Sequence, residues 1–277
     1  MTDPLGIPAE SLGQGTRIPL TVVPNAAALT ATFAEALLAE YLAAHDAGRE
    51  TVVFIVPVGP VGQYDSLADL CRAHGVSLSG LLMIGMDEYL TPGGEWIAAD
   101  DPLSFRGHMR RHLTERMPAD SAPRVVFPDP LRLEEVPTLI ADHGGVDVCF
   151  GGVGIAGHLA FNEPPEPGEP LDVEEFARRP ARIQRLSRET RTINAVTATR
   201  GAIDLIPDQA VTVGMREILG ARKLRLFMNR HWQAAILRKL LHGPVTPTVP
   251  ASYAQRHPDC AITVTEEVTR MPGATLA

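Results

Sequence analysis

The sequence predicts an α/β protein, a single domain built on a mainly parallel sheet with helices on both faces. Three observations lead there. Short β-like runs alternate with stretches of helical length, and strands joined in this way imply right-handed crossovers into a parallel sheet. Residues 51–57 (TVVFIVP) are apolar without alternation, as in a strand covered on both faces. No internal repeat or low-complexity linker divides the chain.

The elements follow in order. After an N-terminal arm, 1–17, residues 18–23 (IPLTVV) read as a strand. Asn25 is a good helix N-cap and Gly48 a good stop, so the Ala/Leu/Glu-rich stretch between them reads as a helix. Strand 51–57 is followed by a helix at 65–74, a strand at 81–86 (LLMIGM) and a helix over about 102–116. The alternation repeats with strand 124–127, helix 131–143 and strand 146–150 (VDVCF). A Pro-rich piece at 164–170 (PPEPGEP) is too short to divide domains and belongs to a surface loop or lid near 162–185. Strand 210–213, short helix 215–219, strand 224–228, helix 231–241 and strand 261–265 complete a domain taken as 18–277.

The 277 residues suffice to bury a substantial core, and 45% hydrophobic with 21% charged residues is ordinary for a globular protein. A net charge of −8 argues against a nucleic-acid partner, though a pocket on an acidic protein can still be locally positive. No apolar run is expected to reach the roughly 18 residues of a membrane helix, so no membrane partner is expected. The start, MTDPLGIPAESLGQGTR, lacks the basic-then-apolar pattern of a signal peptide. Cys71, Cys149 and Cys260 are odd in number and distant in sequence; they read as reduced, unpaired thiols, which fits a cytoplasmic protein.

In open parallel sheets ligands bind beyond the carboxyl ends of the strands, and three features lie there. Gly152, Gly154 and Gly157 follow strand 146–150 and satisfy G-x-G-x-x-G. However, Asn162-Glu163-Pro164-Pro165 breaks the chain too soon for the long helix of a dinucleotide site. What remains is a glycine loop whose N–H groups can face an anion or sugar hydroxyls. His158, inside that loop, precedes Glu163 by five residues, and a histidine held by a carboxylate is a tuned acid/base near neutral pH. Asp87, in Met86-Asp87-Glu88-Tyr89, ends strand 81–86, where a carboxylate can move a proton beside a carbonyl; the alternative is an Asp that merely begins the next turn. His108 and His112 have metal-like spacing, but with Arg110 and Arg111 between them and no zincin Glu they read as a solvated basic face.

At these residues the sequence resembles the glucosamine-6-phosphate deaminase/isomerase family, of the sugar-isomerase superfamily that also includes 6-phosphogluconolactonase. GGVGIAGHLAFNEP is similar to that family's G-G-I/V-G-x-D-G-H-I/L-A-F-N-E-P, and GMDEY resembles its M-D-E-Y. LSRETRTIN, AVTVGMREILGARKLRLFMN and VPASYAQRHPDCAITVTEE resemble further family segments, so the likeness spans about 18–267. The resemblance implies a Rossmann-like sheet and aldose–ketose isomerisation of an amino sugar phosphate with loss of ammonia. Asp87 would shuttle the proton between C2 and C1, His158 would open the ring, and Glu163 would orient His158. It implies a small-molecule sugar or sugar phosphate as partner, no metal or organic cofactor, and leaves room for a homo-oligomer. Substrate contacts would come from Val58, Gly59, Gly154, Gly157, Arg191 and Arg230.

Three places depart from the family pattern. The family Asp two residues before the histidine is Ala156 here. The phosphate loop, Thr-Gly-Gly-Thr/Ser-Pro in the family, is Val58-Gly59-Pro60-Val61-Gly62, with no hydroxyl and one backbone donor fewer. The family's phosphate arginine falls near Val196 and its lysine near His231 or Trp232, with Arg230 as a substitute; Arg191 matches a family arginine. A phosphate needs several charge-assisted hydrogen bonds, so an altered or unphosphorylated substrate is expected. A catalytically impaired sugar-binding or regulatory relative, and a 6-phosphogluconolactonase-like hydrolase, are the alternatives.

Overall fold

A computed structural model describes residues 3–169 and 172–274. The ends of the arm and of the expected domain (1–2 and 275–277), and residues 170–171 of the expected lid, lie outside the described residues. The strands are β1 (Leu20–Val23), β2 (Val52–Val56), β3 (Leu81–Gly85), β4 (Asp87–Tyr89), β5 (Arg124–Val126), β6 (Val148–Gly151), β7 (Arg182–Arg185), β8 (Gln209–Thr212), β9 (Lys223–Met228) and β10 (Cys260–Thr265). The helices are α1 (Ala26–Asp46), α2 (Gln63–His74), α3 (Phe105–His112), α4 (Glu135–Asp142), α5 (Val173–Ala177), α6 (Arg188–Ala198), α7 (Met215–Leu219), α8 (Ala234–His242) and α9 (Glu266–Thr269).

Seven strands form an all-parallel sheet in the order β1-β10-β9-β6-β2-β3-β5. Alternate residues of each strand go to opposite faces, and each face is buried. Val53, Ile55, Leu82, Leu224 and Leu226 pack with Ile218 of α7 and Leu237 of α8. Val52, Phe54, Met83, Phe150 and Phe227 pack with α1, α2 and α3. Phe33 of α1 stacks on Phe227 at 4.0 Å, so its truncation to Ala should cost about 3–5 kcal/mol. The mainly parallel α/β fold expected from the alternation, which the resemblance implied to be Rossmann-like, is therefore present. β3 lies on one side of β2 and β6 on the other, and such a reversal opens a crevice at the carboxyl ends of the strands.

Other features differ from expectation. α1 has the length and apolar composition of a membrane-spanning helix, because Glu35 and Glu40 are its only acidic residues before Asp46 and it has no lysine or arginine. Its Leu29, Phe33, Leu37 and Tyr41 are buried in the core. A second, three-stranded antiparallel sheet, β4-β8-β7, stands beside the main one, so residues 210–213 belong to this small sheet. β4 has only three residues, too few to show a period. α6 was also not expected: its sequence RETRTINAVTA is rich in β-branched residues, which are weak helix formers. It is started by Ser187, whose hydroxyl accepts from the Thr190 N–H at 3.2 Å. Near the N-terminus, Leu12 is buried, and the Ile7 carbonyl accepts from Arg238 Nε at 2.8 Å. In the 162–185 segment, Phe176 is fully buried and the Val173 carbonyl accepts from the Tyr253 hydroxyl at 2.8 Å.

Candidate active site

A cleft of about 400 Å³ opens at the carboxyl ends of β2, β3, β6 and β9. Asp87, His158, Val58, Gly59, Gly154 and Arg230 all line it. Three loops and the start of a helix put them there.

The loop after β2 is held from below by α2. Gln63 Nε2 donates to the Val58 carbonyl at 3.0 Å, and the Tyr64 hydroxyl donates to the Pro57 carbonyl. These bonds spend carbonyls on the protein and leave Val58, Pro60 and Val61 facing the cleft. Arg230, after β9, is exposed at the cleft; among the described residues its guanidinium makes no ion pair or hydrogen bond. It is the one lysine or arginine among the described residues lining the cleft.

The glycine loop after β6 presents His158. Gly154 N–H donates to the His158 carbonyl at 2.9 Å, and Gly157 N–H to the Gly154 carbonyl at 2.9 Å. A Cβ on Gly154 would come within 1.8 Å of His158 Nε2, so only glycine lets the imidazole lie across the loop. Gly157 has φ +81° and packs toward Val249 instead of the cleft, which corrects its expected contact with substrate. Its glycine requirement is conformational. Ala156 is half-buried and is not among the residues lining the cleft.

Glu163 lies behind the imidazole. Its Oε2 is 3.4 Å from His158 Nδ1, and the Thr190 hydroxyl is also 3.4 Å from Nδ1. Both His158 and Glu163 are buried. Burial alone would raise the Glu163 carboxyl, but the hydrogen bond and charge of His158, with Thr190 and the Ser187 N–H, outweigh it and hold it below its usual range. The turn between the two is pinned by Asn162, whose Nδ2 donates to the Leu159 and Val213 carbonyls at 2.9 and 3.0 Å.

Asp87 and its neighbour Glu88 have opposite environments. Glu88 is fully buried and accepts from the Ser104 hydroxyl at 2.8 Å, from the Phe105 and Arg106 N–H groups, and from Arg106 Nε at 3.3 Å. It therefore fixes the N-terminus of α3. Asp87 makes no side-chain hydrogen bond among the described residues, and burial, with the charge of Glu88 beside it, pushes its carboxyl up to about 8. A carboxyl so placed exchanges protons near neutral pH.

The small sheet ties these parts together. Asp87 pairs with Thr212 across β4 and β8, and the Thr212 hydroxyl accepts from the Phe161 N–H at 3.1 Å. The Val213 N–H donates to the Met86 carbonyl at 2.8 Å.

Arg191 corrects another expectation. Its guanidinium donates to the Ile203 and Ile206 carbonyls at 3.1–3.4 Å and is not among the groups lining the cleft. His108, expected on a solvated face, is half-buried and lines the cleft. His112, one turn on, pairs with Asp65 at 2.8 Å. The i, i+3 spacing from Phe105 to His108 on one helix is the signal that could have placed them on a shared face. Tyr89 and Asn194 also line the cleft, joined by a hydrogen bond from Asn194 Nδ2 to the Tyr89 hydroxyl at 2.9 Å; Asn194 closes the family-like segment LSRETRTIN but was not singled out there.

Among the described residues, no three His, Cys, Asp or Glu side chains gather as a metal site would require. A second cavity, about 420 Å³ near β5, is lined by three arginines that are each already paired: Arg106 with Glu88, Arg110 with Glu115, and Arg132 with Asp129 and Glu135.

No protein-family model matches the chain. A glucosamine-6-phosphate deaminase of Lachnoclostridium phytofermentans is 30% identical over 210 residues, covering 73% of this chain and 81% of that protein. One of Lactobacillus helveticus is 31% identical over 196 residues, covering 68% and 73%. Among solved structures, a monomeric glucosamine-6-phosphate deaminase superposes with TM-score 0.76 at 24% identity over 91% of this chain and 98% of that one. A 6-phosphogluconolactonase of Shewanella baltica superposes with TM-score 0.62 at 17% identity, covering 90% and 98%. At these identities the two superpositions speak to fold alone.

Proposed function

Because this chain belongs to the glucosamine-6-phosphate deaminase family, we propose that it isomerises an amino sugar from aldose to ketose and releases the amine as ammonia. His158 moves a proton at the ring oxygen and opens the pyranose. Asp87 takes the proton from C2 and returns it to C1, leaving an imine at C2. Water adds to that imine, and ammonia leaves as the ketose forms. Glu163 holds the imidazole through Nδ1, so that Nε2 is free for the substrate. The observation that carries this reading is the convergence of Asp87 and His158 on one cleft, with Asp87 unpaired with any cation among the described residues and raised toward neutrality.

The proposal extends to the substrate's tail, which we take to be less charged than a phosphate monoester. Residues 58–61 supply no hydroxyl, and Arg230 is the one guanidinium among the described residues lining the cleft, where a phosphate calls for several charge-assisted bonds. Val196 is exposed on α6, outside the cleft. The three described cysteines are buried and unpaired, which supports a reducing, cytoplasmic setting.

The test is an assay of ammonia and ketose with glucosamine and with glucosamine 6-phosphate, beside an assay of 6-phosphogluconolactone hydrolysis. Ammonia with ketose from an amino sugar is the expected result. Lactone hydrolysis without ammonia would overturn the reaction, and normal turnover with tight binding of glucosamine 6-phosphate would overturn the altered tail.

A further inference from the structure

Resting on the amino-sugar reading above, we infer that His108 determines substrate specificity by hydrogen-bonding a neutral hydroxyl on the sugar's tail. The position supports this. His108 is on the second turn of α3 and lines the cleft with Ser104 and Phe105, the same cleft that the loop carrying Val58 and Val61 lines. The helix is anchored by the buried Glu88 and by the Ser104 cap, so the ring is presented by a fixed element.

The ring has unused hydrogen-bonding capacity. Its Nε2 is buried and has no partner among the described residues. Buried polar groups are almost always paired, and a group left unpaired at a site calls for a ligand or water. The rest of the ring is committed to packing: it stacks on His112 at 4.2 Å and meets the edge of Tyr64 at 6.3 Å.

The ring is also electrically neutral. Burial, followed by the charges of His112 and Arg111, pushes the imidazole down to about 4; Asp65 opposes them and does not prevail. A neutral imidazole has one N–H donor and one acceptor nitrogen. A hydroxyl, itself donor and acceptor, matches either nitrogen. A phosphate dianion gains no charge from this ring and meets a lone pair at one of its nitrogens. On this wall of the cleft the chemistry selects a tail ending in a hydroxyl.

The experiment measures binding separately from turnover. The probes are the reduced, unreactive amino alditols made from glucosamine and from glucosamine 6-phosphate, titrated calorimetrically into wild-type protein, His108→Phe and His108→Lys. His108→Phe keeps an aromatic ring for the stack and removes both nitrogens. The wild type is expected to bind the unphosphorylated alditol more tightly than its phosphate ester. His108→Phe should weaken the unphosphorylated probe about tenfold, the effect of one hydrogen bond, and barely change the ester. His108→Lys should tighten the ester. A melting curve for each variant distinguishes lost contact from lost fold. Tighter binding of the ester to the wild type, equal loss of both probes in His108→Phe with an unchanged melting curve, or no binding of either probe overturns the inference. Neither alditol can isomerise, so the failures are distinguishable. Probe binding that depends on His108 without ammonia release from glucosamine defeats the reaction reading alone, while ammonia release with His108 irrelevant to binding defeats this one alone.

Discussion

The two edges of the main sheet treat their carboxylates in opposite ways. At the amino-terminal edge Asp147 lies 3.0 Å from Arg49 Nε and 2.9 Å from Arg222 Nη1, and it accepts the Val53 N–H at 2.8 Å. At the carboxyl edge Asp87 has no cation and no hydrogen bond to its side chain among the described residues. Compensated charge fastens the fold; uncompensated charge stays exchangeable. Glu88 repeats the contrast one residue from Asp87, since its carboxylate is spent on α3.

Replacing each acid by its amide separates the two roles. Asp87→Asn should cut ammonia release by about 10²–10⁴-fold, as for loss of a general acid/base, and leave the melting temperature unchanged or higher. Asp147→Asn should show the reverse in urea unfolding. Stability falls by about 3 kcal/mol, because one buried partner of an ion pair is lost, while turnover per folded molecule stays at the wild-type level. Equal effects of the two substitutions on turnover would erase the comparison.

The pH dependence sharpens it further. Asp87 must be ionised to accept a proton from C2, so kcat/KM should rise with pH and level off above about 8. Stability carries the opposite slope. The folded carboxyl holds its proton above the ordinary carboxylate value of 3.8, so the folded state binds more protons than the unfolded chain between about 4 and 8. That part of the stability is complete below the lower value and is lost as pH rises through the upper one. Asp87→Asn should remove this slope from a pH series of urea unfolding curves. The smallest effect is expected from Glu163→Gln, which retains a polar group behind His158: about a tenfold loss in kcat/KM, with KM little changed.

Much of the fold was legible because its strands are apolar throughout and its helices are long enough to show boundaries, as at Asn25, which caps α1 by accepting the Ala28 N–H at 3.0 Å. The positions of Asp87, His158 and Glu163 were legible because each follows a recognisable strand or glycine loop. The small sheet was not, because three- and four-residue strands carry no period. Arg191 misled because a guanidinium in sequence cannot say whether it will face a ligand or bind carbonyls of its own fold. His108 was misread because its flanking arginines suggested solvent, whereas a helix turns one residue in three or four inward whatever its neighbours carry.

One strand of the small sheet has a larger consequence than its size suggests. β8 pairs with Asp87 through Thr212, and the same Thr212 takes the Phe161 N–H from the loop that carries His158. Acid and imidazole are thus gauged against a common ruler instead of against each other.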